Sequence, residues 1–196
     1  MRNNIFLNLE KIKAHDFRTY RHSLRVAMIS VLLGKQIGLD QDELVAVEEV
    51  ALLHDFGKIK VAGEVLKKAG TLTPEERILV QKHPYYGAVM ASNLPPPLRL
   101  AILGHHERFD GQGYPTGLKG EDIPYMARII AIADSYDAMV SVRPYGKLFS
   151  HAEAIAEIKR CSGTQFDPYL ARQVTGDGFL RGQSEVLSLK KAQPSG

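Results

Sequence analysis

The run VEEVALLHDFGK, residues 47–58, is apolar at helical spacing until a histidine and an aspartate close it as His54 and Asp55. If this segment packs as a helix, both side chains enter the interior. A buried carboxylate without a partner is costly because it loses its water, and a bound metal ion offsets that cost. A single His-Asp pair is explained more simply by a buried hydrogen bond, so the rest of the chain must separate the two readings.

The same kind of interruption recurs in other predicted helices. The apolar run RLAILGHH, residues 99–106, ends in two histidines, and an aspartate interrupts RIIAIADSYDA, residues 128–138. Imidazole and carboxylate are the side chains that hold catalytic transition metals. Several such interruptions favour one shared metal site over separate hydrogen bonds. The candidate ligands are His22, His54, Asp55, His83, His105, His106 and Asp134.

The number of candidate ligands suggests two metal ions, because seven exceed what one transition metal takes while keeping open positions. If Asp55 bridges, one ion takes His22, His54, Asp55 and Asp134, and the other takes Asp55, His83, His105 and His106. Paired metals are suited to phosphoester hydrolysis. Lys58, three residues after Asp55, is then expected to stabilise charge on the phosphate. The alternative is a solvated lysine near a helix end.

Composition bounds the rest of the interpretation. The 196 residues contain 44% hydrophobic and 24% charged residues, which is typical of one globular domain. A net charge of +3 fits an anionic substrate but does not indicate a nucleic-acid polymer as partner. The single cysteine, Cys161, excludes an intramolecular disulfide, and no stretch approaches the roughly 18 apolar residues of a membrane span. We therefore expect a cytoplasmic protein.

The helix signals predict an all-α fold. Capping boxes, in which a glutamate follows an N-cap residue by three positions, mark helix starts at Asp40, Thr73 and Ser150. No sustained period-2 alternation indicates a strand. Residues 1–196 are expected to form a single domain with a tail at 177–196. Helices are expected over 19–37, 40–53, 98–107 and 124–140, from Thr73, after His83 and after Ser150, and none over 108–123.

Four motifs carry a family resemblance: LLHDFGKI (52–59), HHERFDGQGYPTGLKGEDIP (105–124), ARIIAIADSYDAM (127–139) and RPY (143–145). With His83-Pro84 they resemble the HD-GYP domain, the subgroup of the HD phosphohydrolase superfamily that degrades cyclic di-GMP. The match extends from about residue 16 to 168, and HHE followed by DGxGYPxG is highly specific. The resemblance implies a helical bundle whose core holds two or three metals, usually iron or manganese. It also implies hydrolysis of cyclic di-GMP to pGpG, with a second cut to GMP left open.

In the resembling family, the loop that here reads DGQGYPTG (residues 110–117), called the GYP loop, lies beside the substrate groove. Asp110, Gly111 and Tyr114 of this loop, together with Asp137, are expected substrate contacts. Tyr114 is suited to stack on a guanine or to anchor a partner protein, and the alternative is that it packs back onto the domain. Glu107 is a candidate acceptor for an imidazole N–H, a role that Asp110 and Asp137 could also take.

Two departures from the family pattern affect the expected site. Some members carry a glutamate four residues before the first metal histidine, and it helps to bind a third ion; here Arg18 holds that place. We therefore expect two divalent transition metal ions, iron or manganese, and not three. A basic residue often follows RPY in the family, whereas this chain has Gly146 and then Lys147. Binding of the second phosphate of the substrate is therefore assigned to Arg143, with help from Lys147.

Two rival functions remain open. One is a non-catalytic regulatory domain that binds a diguanylate cyclase of the GGDEF type through the GYP loop. The other is a hydrolase of a different nucleotide. The complete ligand set with Lys58 favours catalysis, and the full GYP loop favours cyclic di-GMP. Regulatory input from a sensory or receiver domain is expected to come from outside these residues.

Overall fold

The computed structural model describes residues 2–141 and 148–176, with side chains from Asn4 onward. Within these residues all regular secondary structure is helical, apart from an isolated bridge between Ser162 and Phe166. The predicted all-α fold is confirmed. No helix of the described ranges has the length and apolar character required to cross a membrane.

The described residues form ten α-helices and two short 3-10 turns. The 3-10 turns are Phe56–Lys60 and Gly120–Asp122. The helices are α1 (Arg2–His15), α2 (Phe17–Gln36), α3 (Gln41–Leu53), α4 (Gly63–Leu66), α5 (Pro74–Val80), α6 (His83–Met90), α7 (Pro96–Leu103), α8 (Tyr125–Val140), α9 (His151–Arg160) and α10 (Pro168–Gln173).

Helices α2, α3 and α8 form the centre of the bundle. α2 packs against both α3 and α8, while α6 packs against the first 3-10 turn and α7. Apolar side chains one or two helical turns apart, such as Val26 and Leu33 of α2 and Val47 and Val50 of α3, are fully buried between them. The first 3-10 turn, which follows α3, therefore lies beside α6, and α6 lies beside α7.

The capping signals were accurate, but one helix end was wrong. Asp40, Thr73 and Ser150 each make the predicted capping box. The helix expected over 98–107 ends at Leu103. A continuing helix would give the Ile102 carbonyl to the amide of residue 106, but the side chain of His105 takes this carbonyl instead. The two histidines consequently lie beyond the helix and not on it.

Candidate metal centre

Three of the clustered histidines lie just after the end of a helix and hydrogen-bond to its last turn. His54 Nδ1 lies 2.7 Å from the carbonyl oxygen of Ala51, at the end of α3. The same bond joins His83 to Val80 at 2.7 Å and His105 to Ile102 at 2.6 Å, at the ends of α5 and α7. Helix C-termini leave carbonyl groups without intrahelical partners, so each imidazole satisfies one of them and is oriented by it.

These bonds determine which ring nitrogen faces the centre of the cluster. A carbonyl oxygen only accepts, so Nδ1 of each of these rings carries the hydrogen, and in the neutral form of the ring Nε2 carries the lone pair. The Nε2 atoms of His83 and His105 lie 3.2 Å apart. Two neutral rings in this tautomer cannot share a hydrogen bond, and the buried Nε2 of His54 has no hydrogen-bond partner. The lone pairs converge on a place suited to a cation.

Asp55 lies between these rings with its two oxygens turned to different neighbours. Oδ1 lies 3.2 Å from His83 Nε2, whereas Oδ2 lies 3.5 Å from His54 Nε2 and 3.7 Å from His22 Nε2. The carboxylate is 1% exposed. Its charge is balanced in part by the ammonium of Lys58, 2.6 Å from Oδ2. The arrangement suits a carboxylate that links two neighbouring sites.

Asp134, on α8, completes the cluster from the opposite side. Its Oδ1 lies 3.0 Å from His22 Nε2, and its Oδ2 lies 4.0 Å from His106 Nδ1. The ring of His106 lies over that of His105, with 4.0 Å between the centroids. The structure therefore brings all seven predicted ligands together.

The donor atoms fall into two groups that share Asp55. Within each group the atoms lie within 4.8 Å of one another. Imidazole nitrogen and carboxylate oxygen in sets of three or four are the donors of transition-metal sites. The residues present therefore fit a divalent metal. One group contains Asp55, His83, His105 and His106, and the other contains His22, His54 and Asp55.

The electrostatics of the cluster keep most of the rings neutral. Burial, reinforced by the neighbouring histidines, holds the pKa of His105 well below its ordinary value. Burial also lowers the pKa of His54 against the opposing charge of Asp55, and it lowers the pKa of His106 to about 3. Neutral imidazole is the form that binds a metal.

Both carboxylates of the cluster remain ionised. Burial alone would raise the pKa of Asp55, but the charge of Lys58 and the rings of His54 and His83 outweigh it, and the pKa lies well below its ordinary value. The pKa of Asp134 is likewise lowered, because its hydrogen bond and charge interaction with His22 outweigh burial. Two buried negative charges make the centre attractive to cations.

His22 differs from the other rings because carboxylates surround it. Burial lowers its pKa, but hydrogen bonds to Asp134 and Asp137 and the charges of Asp134 and Asp55 raise it to about 9. Without an ion, the protonated ring supplies positive charge to the cluster. A metal ion would take over that role and release the proton.

The match to known proteins covers most of the chain. Residues 7–170 match the family described as HD domain. The chain belongs to the HD-domain family. The resemblance identified from the sequence is therefore confirmed.

Two relatives and one solved structure illustrate the similarity. A cyclic di-GMP phosphodiesterase of Thermotoga maritima is 36% identical over 91% of this chain and 48% of its own length. A 3'3'-cGAMP-specific phosphodiesterase of Vibrio cholerae is 37% identical over 76% of this chain and 33% of its own length. The crystal structure of a cyclic GMP-AMP-specific phosphodiesterase of V. cholerae has a TM-score of 0.62 at 23% identity, covering 91% of this chain and 51% of that one. The chain thus spans less than half the length of the two curated relatives.

In this HD domain Asp137 is not placed to contact substrate, contrary to expectation. Its side chain is 2% exposed, and its oxygens accept hydrogen bonds from His22 Nδ1, Arg25 and Ser141. Burial raises the pKa of Asp137, but the hydrogen bonds and charges of His22 and Arg25 outweigh it and lower the pKa to about 2. Asp137 is instead an acceptor for the imidazole N–H of a candidate ligand. Of the two roles expected for Asp137, the structure fits acceptance from an imidazole N–H and not contact with the substrate.

Glu107 also differs from expectation, because it makes no hydrogen bond to an imidazole. Its Oε1 accepts from the amide and hydroxyl of Thr116, both at 2.7 Å, and from the amide of Gly117 at 3.2 Å. Its Oε2 is buried without a hydrogen-bond partner. The Nδ1 atoms of His54, His83 and His105 are already bonded to carbonyls of nearby helix ends, and Nδ1 of His22 is bonded to Asp137. This carboxylate holds the GYP loop against the cluster.

Replacing Glu107 by alanine is expected to loosen the loop. The substitution removes one acceptor shared by three donors, and charge-assisted hydrogen bonds contribute about 1.5–3 kcal/mol each. Because water can reach the freed donors, we expect a net loss of about 2 kcal/mol. Hydrogen exchange at the Thr116 and Gly117 amides measures the effect. Glu121→Ala, at an exposed position just after this loop, is the control; equal protection in both variants would contradict the assignment.

Asp110 and Gly111 shape the loop. The carboxylate of Asp110 pairs with the guanidinium of Arg108 through two hydrogen bonds, of 3.1 and 2.6 Å, and accepts from the amide of Gln112 at 3.0 Å. Gly111 has a φ of +80°, in the left-handed region that favours glycine. The backbone of Asp110 donates to Thr164. The stretch predicted to lack helix is thus tied into an ordered turn.

Tyr114 packs back onto the domain. Its ring lies 4.8 Å from that of His106, centroid to centroid, with an angle of 31° between the planes. Burial raises the pKa of its hydroxyl, and the charges of Asp55 and Asp134 act in the same direction. This contact matches the alternative considered from the sequence. It places Tyr114 beside a candidate metal ligand, at the wall of the site.

The remaining predicted residues lie at the edge of the site or outside the described ranges. Lys58 pairs with Asp55, a contact that the sequence did not predict. Arg18 is largely exposed and lies 3.8 Å from the carboxylate of Asp16, so it adds no ligand to the cluster. Arg143, Gly146 and Lys147, the residues assigned to the second phosphate, lie outside the described residues.

Sequence reasoning missed two residues that position the site. Arg25 reaches Asp137 from α2, one helical turn after His22, and this i, i+3 spacing was the available signal. Gly57, in the first 3-10 turn, lies directly against the backbone of His83. Its position two residues after Asp55 gave no signal in the sequence, because its importance depends on the contact with the backbone of His83.

Proposed function

We propose that this HD domain is a metal-dependent phosphodiesterase that opens cyclic di-GMP to linear pGpG. The observation that carries the proposal is the pair of donor groups sharing one buried carboxylate, Asp55. Such a centre fits hydrolysis of a phosphodiester because it offers two adjacent cation sites to one phosphate. The name of the Thermotoga maritima relative supplies the substrate.

The ligand assignment follows the two donor groups, with Asp134 added to the group of His22 because of their 3.0 Å contact. Mixed nitrogen and oxygen donors suit iron or manganese. Divalent ions bound there supply Lewis acidity toward the phosphate and a water of lowered pKa. We assign His22, His54, Asp55 and Asp134 to one ion and Asp55, His83, His105 and His106 to the other.

The residues of the chain have separate roles in this proposal. The backbone-bonded rings of His54, His83 and His105 are held with their Nε2 lone pairs toward the centre, so they need no reorganisation before binding. Lys58 lies at the mouth of the site, where its side chain is 24% exposed. From there its ammonium is placed to donate to negative charge developing on the phosphate oxygens or on the leaving oxygen.

Similarity to another relative supports 3'3'-cGAMP as a second candidate substrate. A relative named 3'3'-cGAMP-specific phosphodiesterase is about as identical to this chain as the cyclic di-GMP relative. Both compounds are cyclic dinucleotides with two phosphodiester bonds, so the metal centre alone does not distinguish them. Discrimination must come from residues around the bases.

A turnover panel tests the proposal. The protein is reconstituted with iron(II) or manganese(II) and incubated with cyclic di-GMP, 3'3'-cGAMP, cyclic di-AMP and pGpG, and products are separated by chromatography. We expect cyclic di-GMP to be opened fastest. Faster opening of 3'3'-cGAMP would support the second substrate. A metal-loaded protein that cleaves none of them would contradict catalysis and favour a regulatory domain that binds a diguanylate cyclase through the GYP loop.

Replacing Lys58 by alanine is expected to lower turnover by about 10²–10³ with metal content unchanged, as for other donors that stabilise transition-state charge. Steady-state kinetics and elemental analysis of the same sample measure both quantities. Lys60→Ala, at an exposed position two residues later, is the control. If Lys58→Ala matched Lys60→Ala in rate, Lys58 would have no part in the chemistry.

The metal content is expected to be two ions per chain. Arg18 offers no ligand where a third site would require a carboxylate, and its positive charge opposes a further cation. Native mass spectrometry of the reconstituted protein counts the ions, and elemental analysis identifies them. A third ion bound as tightly as the first two would contradict the assignment of Arg18.

A further inference from the structure

His22 is held differently from the other clustered histidines. The Nδ1 atoms of His54, His83 and His105 donate to carbonyl oxygens of nearby helix ends, which are fixed by the local backbone. Nδ1 of His22 instead lies 2.7 Å from Oδ2 of Asp137, a side chain on another helix, α8. The orientation of this ring therefore depends on what holds the Asp137 carboxylate.

The Asp137 carboxylate is held mainly by Arg25. The guanidinium binds it in a fork, with Nε 2.5 Å from Oδ1 and Nη2 2.9 Å from Oδ2. The hydroxyl of Ser141 donates to Oδ1 at 2.9 Å. Bidentate arginine–carboxylate pairs fix the plane of the carboxylate as well as its position. The oxygen that accepts from Nη2 is also the one that accepts from His22.

We infer that Arg25 is a positioning residue for His22, acting through Asp137. Arg25 lies three residues after His22 on α2. Both side chains hydrogen-bond to Asp137 on α8, so this carboxylate links Arg25 to His22. The guanidinium has no lone pair for a metal, and it fixes the direction of His22 Nε2, the atom that faces Asp55 and Asp134. The inference rests on the metal binding proposed above and is independent of the substrate.

Removing the fork should therefore affect one donor group more than the other. Without Arg25, the hydrogen-bond partners left to the buried carboxylate among the described residues are Ser141 and His22, so it is freer to rotate. Groups that orient metal ligands typically change metal affinity by 10–100-fold when they are removed. In the other group, His83 and His105 have their own backbone anchors, so the affinity of that group should change little.

The test is a cobalt(II) titration of metal-free protein, followed by visible absorption and calorimetry, which reports binding without turnover. The variants are Arg25→Met, which keeps length and removes the donors, and Arg25→Lys, which keeps one donor. Arg21→Met, at an exposed position on the same helix, is the control. We expect Arg25→Met to weaken one of two binding events by about 10-fold or more and Arg25→Lys to weaken it less, with Arg21→Met matching the parent.

A double-mutant cycle separates positioning from a general structural role. If Arg25 acts through Asp137, the effects of Arg25→Met and Asp137→Asn on cobalt affinity should be strongly non-additive. Additive effects, equal weakening of both binding events, or unchanged affinity in Arg25→Met would overturn the inference. If Arg25→Met does not fold, Arg25→Lys decides: weakening of one event supports positioning and parent-like binding overturns it. A parent protein that binds no cobalt would overturn both this inference and the proposed function.

Discussion

Asp55→Ala is expected to abolish both metal binding and phosphodiesterase turnover while leaving the helical fold intact. Asp55 is the only residue common to the two donor groups, and its two oxygens face different histidines. On the proposed assignment, removing it takes one ligand from each ion at once. The substitution also removes a buried negative charge, which would balance the charge of a cation bound between the surrounding histidines.

The comparison with His22→Ala makes this prediction specific. His22 belongs to one donor group, so its loss should weaken one ion and spare the other, whereas Asp55→Ala should lose both. Elemental analysis after dialysis gives the metal content, and circular dichroism gives the helical content. Asp122→Ala, at an exposed carboxylate in the second 3-10 turn, is the control. Two tightly held ions in Asp55→Ala would show that Asp55 does not bridge.

Gly57→Ala is expected to destabilise the domain strongly and to disturb the metal centre. A Cβ atom at this position would lie 2.0 Å from the carbonyl oxygen of His83 and 2.5 Å from the amide nitrogen of Gly87. Both are backbone atoms, so no side-chain rotation relieves the clash. The 3-10 turn and α6 must separate, and His83 moves with α6. We expect a loss of about 3 kcal/mol or more, at the upper end of overpacking effects.

Chemical denaturation and cobalt(II) titration measure the two consequences of Gly57→Ala. Gly63→Ala is the matched control, because a Cβ there meets nothing within 4 Å and the position opens α4. That variant should be neutral or slightly more stable, since alanine favours a helix over glycine by up to about 1 kcal/mol. Equal stability of the two variants would show that the contact between Gly57 and His83 is not a constraint.

The local signals in the sequence predicted most helix starts and the candidate ligands that the structure brings together. Capping boxes depend on residues three positions apart, so Asp40, Thr73 and Ser150 were identifiable without tertiary contacts. The pattern did not predict α1, α4 or α10. α1 is anchored by Ile5 and Ile12, two turns apart, which is too sparse a repeat to distinguish from a loop. The predicted end of α7 was wrong because the side chain of His105 bonds to the carbonyl oxygen of Ile102, which a longer helix would use.

The sequence by itself determined the all-α class, the seven candidate ligands and the family, because these depend on residue identity and short spacing. Only the tertiary structure decided which groups orient the ligands. Asp137 proved to hold His22, one of the two roles expected for it, whereas Glu107, next to a candidate ligand, proved to hold the loop. Arg25 and Gly57 emerged for the same reason. Hydrogen bonds and close backbone contacts between segments far apart in the chain depend on how the helices pack, and short-range patterns carry no record of that packing.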